Sequence, residues 1–163
     1  MCGITGFITK KISYDEDIHK TIQSMTEVLA HRGPDSGDST VFKLCKSDRT
    51  PAPLTIAFGH RRLKIIDLSN SAAQPMWNIS NNICITYNGE IYNYLEIKEE
   101  LIKNGYIFKT TSDTEVVLNS YDFWGKDCFK KFNGMWAIAI FDKKERKIIL
   151  SRDRFGKKPL YYF

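Results

Sequence analysis

Residues 134–155 read GMWAIAIFDKKERKIILSRDRF. WAIAIF is apolar throughout, KIIL is its counterpart, and the polar KKER stands between them. Short continuous apolar runs bounded by turn residues mark strands buried on both faces, so the stretch predicts an antiparallel hairpin. Upstream, ICITYN (83–88) reads as a further strand, ending in the tight-turn dipeptide Asn88–Gly89. Two helices are predicted in between. One is NYLEIKEELIKNG (93–105), capped by Asn93 with Glu96 three residues on and stopped by Gly105. The other is SDTEVVLNSYDFWG (112–125), where Ser112 and Glu115 have capping-box spacing.

The N-terminal half repeats the mixture. CGITGFIT (2–9), STVFKLC (39–45), LTIAFGH (54–60) and RLKIIDL (62–68) read as strands. Residues 13–32 read as a helix with Ile18, Ile22, Met25, Val28 and Leu29 on one face and Ser13 and Glu16 at capping-box positions. HRGPDSG (31–37), KSDRTPAP (46–53) and SNSAAQP (69–75) are connections. Strands in antiparallel connections with helices inserted in groups give an α+β class rather than βαβ units, and two sheets with helices outside would bury the strands on both faces. KKPLYYF (157–163) begins another strand, so the chain is expected to be part of something larger, incomplete at its C-terminus.

With 163 residues the chain has one-domain size. Hydrophobic residues at 42% and charged residues at 26% place it among globular proteins rather than disordered ones. No apolar run approaches the ~18 residues of a membrane span, and the N-terminus has no basic segment followed by a long apolar one. The expectation is a cytoplasmic protein with no membrane partner. The net charge of +5 is dispersed, with basic residues clustered no more tightly than pairs such as Lys130–Lys131, which argues against nucleic acid. The cysteines Cys2, Cys45, Cys84 and Cys128 lack metal-ligand spacing, so no metal site is expected. Cys45, Cys84 and Cys128 have apolar neighbours and are expected to be buried.

Cys2 differs. Removal of Met1 would place its thiol beside a free α-amine, with reference pKa values near ~8.5 and ~8. A terminal amine of that strength can serve as the base for a nucleophile without any histidine. Gly3 is expected to leave room for a substrate against the backbone. The competing reading makes Cys2 the first residue of a strand. Asn88 and Gly89 can offer a side-chain NH2 and an unobstructed backbone N–H to a developing oxyanion, or can simply form a hairpin turn. Arg61 and Arg62 could hold a carboxylate bidentately or stand as a solvated strand end. Asp113 could bind an ammonium group or interact favourably with a helix dipole. None of His19, His31 and His60 sits in a triad-like setting.

In order along the chain stand MCGITGF, HRGPDSG, GHRRLKIID, QPM, NGEIYNY, SDTEVVL, FNGMWAIAIFD and RDRFGKKPLYY. Over practically its whole length this resembles the N-terminal class II glutamine amidotransferase domain of the glutamine-hydrolysing asparagine synthetases. The resemblance implies an N-terminal-nucleophile hydrolase fold, a four-layer αββα sandwich of two antiparallel sheets, over residues 1–163. It implies catalytic roles for Cys2 as nucleophile and for Asn88 and Gly89 as oxyanion hole. It implies glutamine binding by Arg62 at the carboxylate, by the backbone at Ile65 and Ile66, and by Glu90 and Asp113 at the ammonium. Arg61 does not match the pattern. The implied partners are glutamine and a C-terminal synthetase domain that receives ammonia, with homodimeric assembly compatible with both. The glutaminase half needs no cofactor. ATP and Mg belong to the synthetase half, whose SGG-x-DS loop is absent from this sequence. Two other functions fit the same residues: a non-catalytic glutamine-binding or docking module that retains Met1, and a glutaminase supplying a different acceptor.

Overall fold

A computed structural model describes residues 2–10, 15–45 and 53–163. The chain divides into two compact units, Met1–Leu63 and Lys64–Phe163.

The first unit holds β1 (Gly3–Thr9), α1 (Asp15–Val28), β2 (Ser36–Leu44) and β3 (Leu54–Arg62). Its antiparallel sheet has the order β1-β3-β2. Gly3 pairs with Arg61 at one end of β1, and Ser36 pairs with Arg62 at the start of β2. The helix α1 packs across all three strands. Ile18 and Ile22 are buried against the sheet, and removing one such side chain from water is worth ~1.5–3 kcal/mol. Val28, placed on that face by the sequence, is exposed. At 3.6 residues per turn it lies about 120° from Ile22, at the rim of the stripe, while Thr26 lies about 40° from Ile22 and within it. Thr26 is buried and satisfies its hydroxyl on the Ile22 carbonyl at 2.7 Å. Ser13 falls outside the described residues, as does KSDRTPAP apart from Pro53. Cys45 is exposed rather than buried, because it stands one residue beyond Leu44, the last paired position of β2.

The second unit holds β4 (Met76–Trp77), β5 (Ile83–Ile91), α2 (Tyr94–Lys103), α3 (Asp113–Trp124), α4 (Cys128–Lys131), β6 (Gly134–Asp142) and β7 (Lys147–Arg152). The sheet order is β4-β5-β6-β7, all antiparallel. The expected hairpin is β6–β7, and β6 is buried without a break from Trp136 to Asp142. Ile85, Tyr87, Ile138 and Ile140 join Val116, Val117, Ile97 and Leu101 of the helices in one core. Cys84 and Cys128 are buried as expected, and burial pushes both thiols up, that of Cys128 to about 12. The α+β class with two antiparallel sheets is borne out.

Three local expectations are corrected. RLKIIDL is not a strand: β3 stops at Arg62 and residues 63–69 form a loop, with Ile65 and Leu68 exposed. Asp67 fixes this loop, its carboxylate accepting from Ser69 within it and from Thr111, 44 residues on. Asn88–Gly89 is not a turn, because β5 runs through it to Ile91 with Asn88 facing Ala137 and Gly89 facing Trp136. Residues 157–163 hold no strand, and Tyr161, Tyr162 and Phe163 are exposed.

Candidate active site

In the first unit, Cys2 stands one residue ahead of β1. The Gly3–Arg61 pairing puts it opposite Arg62 when the register is carried one step on. The thiol is half-buried, and the Leu63 backbone N–H points at Sγ from 3.4 Å. Leu63 also offers its carbonyl at 3.8 Å, so the backbone just after Arg62 holds the sulfur in place. Arg62 is itself buried.

The loop HRGPDSG braces this end of β3. A Cβ on Gly33 would lie 2.4 Å from the Arg61 carbonyl, so only glycine lets the loop lie flat on the strand. The Asp35 N–H donates to the Arg62 carbonyl at 3.1 Å. Arg61 is used differently from Arg62. Its Nε donates to the Gly33 carbonyl at 3.0 Å, and its guanidinium lies over Gly37. Gly3 corrects an expectation: the space beside it is filled by Leu29 and Arg32, with the Leu29 Cβ 3.0 Å from where a Cβ on Gly3 would be. This glycine lets the turn after α1 close on β1, so the space left by its missing side chain is filled by protein and not open to a substrate.

In the second unit, Asn88, Gly89 and Glu90 are consecutive on β5, and Asp113 opens α3. A Cβ on Gly89 would lie 2.2 Å from the Met135 carbonyl oxygen and 2.8 Å from the Trp136 Cα, so close strand approach, not turn geometry, demands glycine here. Asn88 is buried, while Gly89 and Glu90 are half-buried. Asn93, at the end of NGEIYN, occupies the N-cap position of α2 without capping it. Its side chain instead accepts from the Asn133 N–H and donates to the Lys131 carbonyl, tying the end of β5 to the start of β6.

Asp113 is held from several sides. Its Oδ2 accepts from the Tyr87 hydroxyl at 2.8 Å and from the Ile91 N–H at 3.1 Å. Burial nevertheless raises its carboxyl above the usual range, with the Glu90 charge adding to the rise, against hydrogen bonds from Tyr87, Ile91 and Thr114 that lower it. The turn before Asp113 is fixed as the sequence predicts, Ser112 accepting from the Glu115 N–H at 3.3 Å. Glu115 does not close the box on Ser112. It reaches back to the Lys109 and Thr110 N–H groups and to the Thr110 hydroxyl.

Two supporting residues escaped the sequence analysis. Gln74 accepts from the Tyr87 N–H at 2.7 Å and donates to the Thr114 hydroxyl at 3.1 Å, so one amide links β5 to α3. Asp67 accepts from the N–H and hydroxyl of both Ser69 and Thr111. Those bonds, the Ser69 hydroxyl first, hold its carboxyl well below the usual range and fasten the loop of Ile65 and Ile66 to the residue two before Asp113. Of that pair, Ile65 is exposed and Ile66 is half-buried. The signal for Gln74 was the QPM string, and for Asp67 the final residue of GHRRLKIID, but neither motif carried a spacing that named a partner. Among the described residues no group of three or more His, Cys, Asp or Glu side chains is placed to hold a metal ion. Among them, too, no helix is long and apolar enough to cross a membrane.

The model of the glutamine amidotransferase domain matches residues 1–163. The putative asparagine synthetase [glutamine-hydrolyzing] 2 of Methanocaldococcus jannaschii is 42% identical, over 100% of this chain and 32% of its own length. The asparagine synthetase [glutamine-hydrolyzing] 1 of Bacillus subtilis is 39% identical, over 99% of this chain and 24% of its own. The chain therefore spans about a quarter to a third of the length of these relatives. Among solved structures, the glutamine phosphoribosylpyrophosphate amidotransferase from B. subtilis superposes with a TM-score of 0.67 at 20% identity, covering 94% of this chain and 37% of that one, a likeness of fold.

Proposed function

Because this chain belongs to the glutamine amidotransferase domain family, we propose that it hydrolyses the side-chain amide of glutamine with Cys2 as nucleophile. The observation that carries this reading is the placement of the Cys2 thiol on the Leu63 backbone, directly after the buried Arg62. With Met1 removed, the α-amine of Cys2 takes the thiol proton, and the sulfur attacks the amide carbon of glutamine. The carbonyl oxygen becomes an oxyanion, stabilised by the Asn88 side chain and the Gly89 N–H. Each such donor is typically worth ~2.7–4 kcal/mol in the transition state. The tetrahedral adduct collapses by breaking the carbon–nitrogen bond, and the α-ammonium returns its proton so that ammonia leaves. Water then attacks the γ-glutamyl thioester, releasing glutamate and restoring the thiol.

Recognition of the amino-acid end follows from charge. Arg62 is suited to the α-carboxylate through its planar fork of donors. Asp113 and Glu90 are suited to the α-ammonium, and Ile65 and Ile66 to backbone contact with the substrate. The printed names of the relatives join glutamine hydrolysis to asparagine synthesis. They support a synthetase region as the acceptor of the ammonia, and we infer that it amidates aspartate using ATP and Mg; the protein's partner is then that region, in the same cytoplasmic polypeptide or a homodimer of it.

The test is glutamate release from glutamine by Met1-processed protein, set against Cys2→Ala. The expected result is steady release that Cys2→Ala abolishes while glutamine still binds. A folded, processed protein that releases no glutamate refutes the reading, as does undiminished release by the Cys2→Ala variant.

A further inference from the structure

Tyr87 lies next to Asn88 and takes no part in the chemistry above, yet it touches both halves of what β5 and α3 offer. Its side chain is 2% exposed. The hydroxyl donates to Asp113 Oδ2 at 2.8 Å, on the same oxygen that accepts the Ile91 N–H. Its ring runs forward along the strand under Gly89: Cε2 lies 2.5 Å from where a Cβ on that glycine would be. Its backbone N–H is held by Gln74, whose other end holds Thr114 beside Asp113. One residue thus bears on the glycine assigned to the oxyanion and on the carboxylate assigned to the ammonium.

We propose that Tyr87 is a positioning residue for glutamine, its hydroxyl aiming the Asp113 carboxylate and keeping it in the charged form that the substrate's ammonium requires. The proposal rests on the glutaminase reading. A phenylalanine would fill the same core volume, so packing alone does not call for the hydroxyl. A buried tyrosine does seek some acceptor, however, and the test must separate that bland role from the proposed one. The groups that bear on the charge of Asp113 are the Tyr87 hydroxyl and the Ile91 and Thr114 N–H groups, which favour the carboxylate, and Glu90 on β5, which disfavours it. Burial already raises this carboxyl, so glutamine binding weakens as pH falls through its titration. Losing one donor to a charged acceptor moves that titration upward.

The experiment is the pH dependence of glutamate release by Met1-processed wild type and Tyr87→Phe. The acid limb of kcat/KM is expected to move up by about one pH unit, a tenfold loss on the acid side. The loss should appear in KM, with kcat at saturating glutamine changed less than about threefold, because bound ammonium restores the carboxylate. A ring-fluorinated tyrosine at position 87, a stronger donor of the same shape, should move the limb the other way; it also serves where Tyr87→Phe fails to fold. In an Asp113→Asn background, Tyr87→Phe should add nothing further to KM. An unmoved acid limb, or a fall confined to kcat, overturns the proposal, as does an equal KM penalty in the Asp113→Asn background. Wild type inactive on glutamine would instead remove the glutaminase reading itself.

Discussion

Replacing Gly89 with alanine tests whether β5 and β6 are held at the separation described. The added Cβ would stand 2.2 Å from the Met135 carbonyl oxygen, 2.8 Å from the Trp136 Cα and 2.5 Å from Tyr87 Cε2. Ordinary van der Waals contact begins at 3.4 Å, so the oxygen must retreat by roughly 1.2 Å. Two of the three obstacles are backbone and cannot rotate away. Retreat by that distance takes a ladder hydrogen bond of ordinary length beyond 3.5 Å, so the bonds nearest Gly89 are lost. Each buried donor or acceptor left unmade costs ~1–3 kcal/mol, and two of them set the expected loss at about 3 kcal/mol. For a chain of this size that is a fall in Tm of about 6–12 °C. Thermal and urea unfolding measure it, and glutamate release should be lost even at temperatures where the variant remains folded, because the Gly89 N–H is displaced. A fall in Tm below about 3 °C with activity retained would refute the reasoning, since the strands would then have room that the geometry denies them.

Gly59→Ala meets a side chain where Gly89→Ala meets backbone: the new Cβ would stand 2.1 Å from the buried Thr26 hydroxyl. It should cost ~1–3 kcal/mol by overpacking, and Thr26→Ala should restore at least half of that in urea unfolding. An additive double variant would contradict the expectation. Asp67 supplies a prediction in pH: its folded-state carboxyl is held low, so the stability it contributes is complete above the unfolded carboxylate range and is lost as pH falls toward the folded value. The stability gap between wild type and Asp67→Asn should therefore be widest above about pH 5 and narrow below about pH 4, and a gap that stays constant with pH would show that Asp67 bears no such linkage.

The strands of greatest apolar continuity were legible in the sequence. The β6–β7 hairpin, β1, α2, and α3 with its Ser112 cap were read from local pattern, because burial on both faces and the needs of a helix end leave their mark within a few neighbouring residues. The proposed site set Cys2, Arg62, Asn88, Gly89, Glu90 and Asp113 came from the order of motifs along the chain, and the structure adds how its members are held. What failed locally failed for one reason. Asn-Gly reads as a turn when only the dipeptide is seen, and it becomes mid-strand because the Met135 and Trp136 backbone of β6 presses on it from 46–47 residues away. RLKIIDL alternates well enough for a strand, and it becomes a loop because Asp67 finds Thr111, 44 residues on. Gly3 looked like an opening until the turn after α1 filled it. Sequence determined which groups can react; tertiary structure decided which are held and by what, since hydrogen-bond partners and close backbone approach come from chain segments that a local pattern does not record.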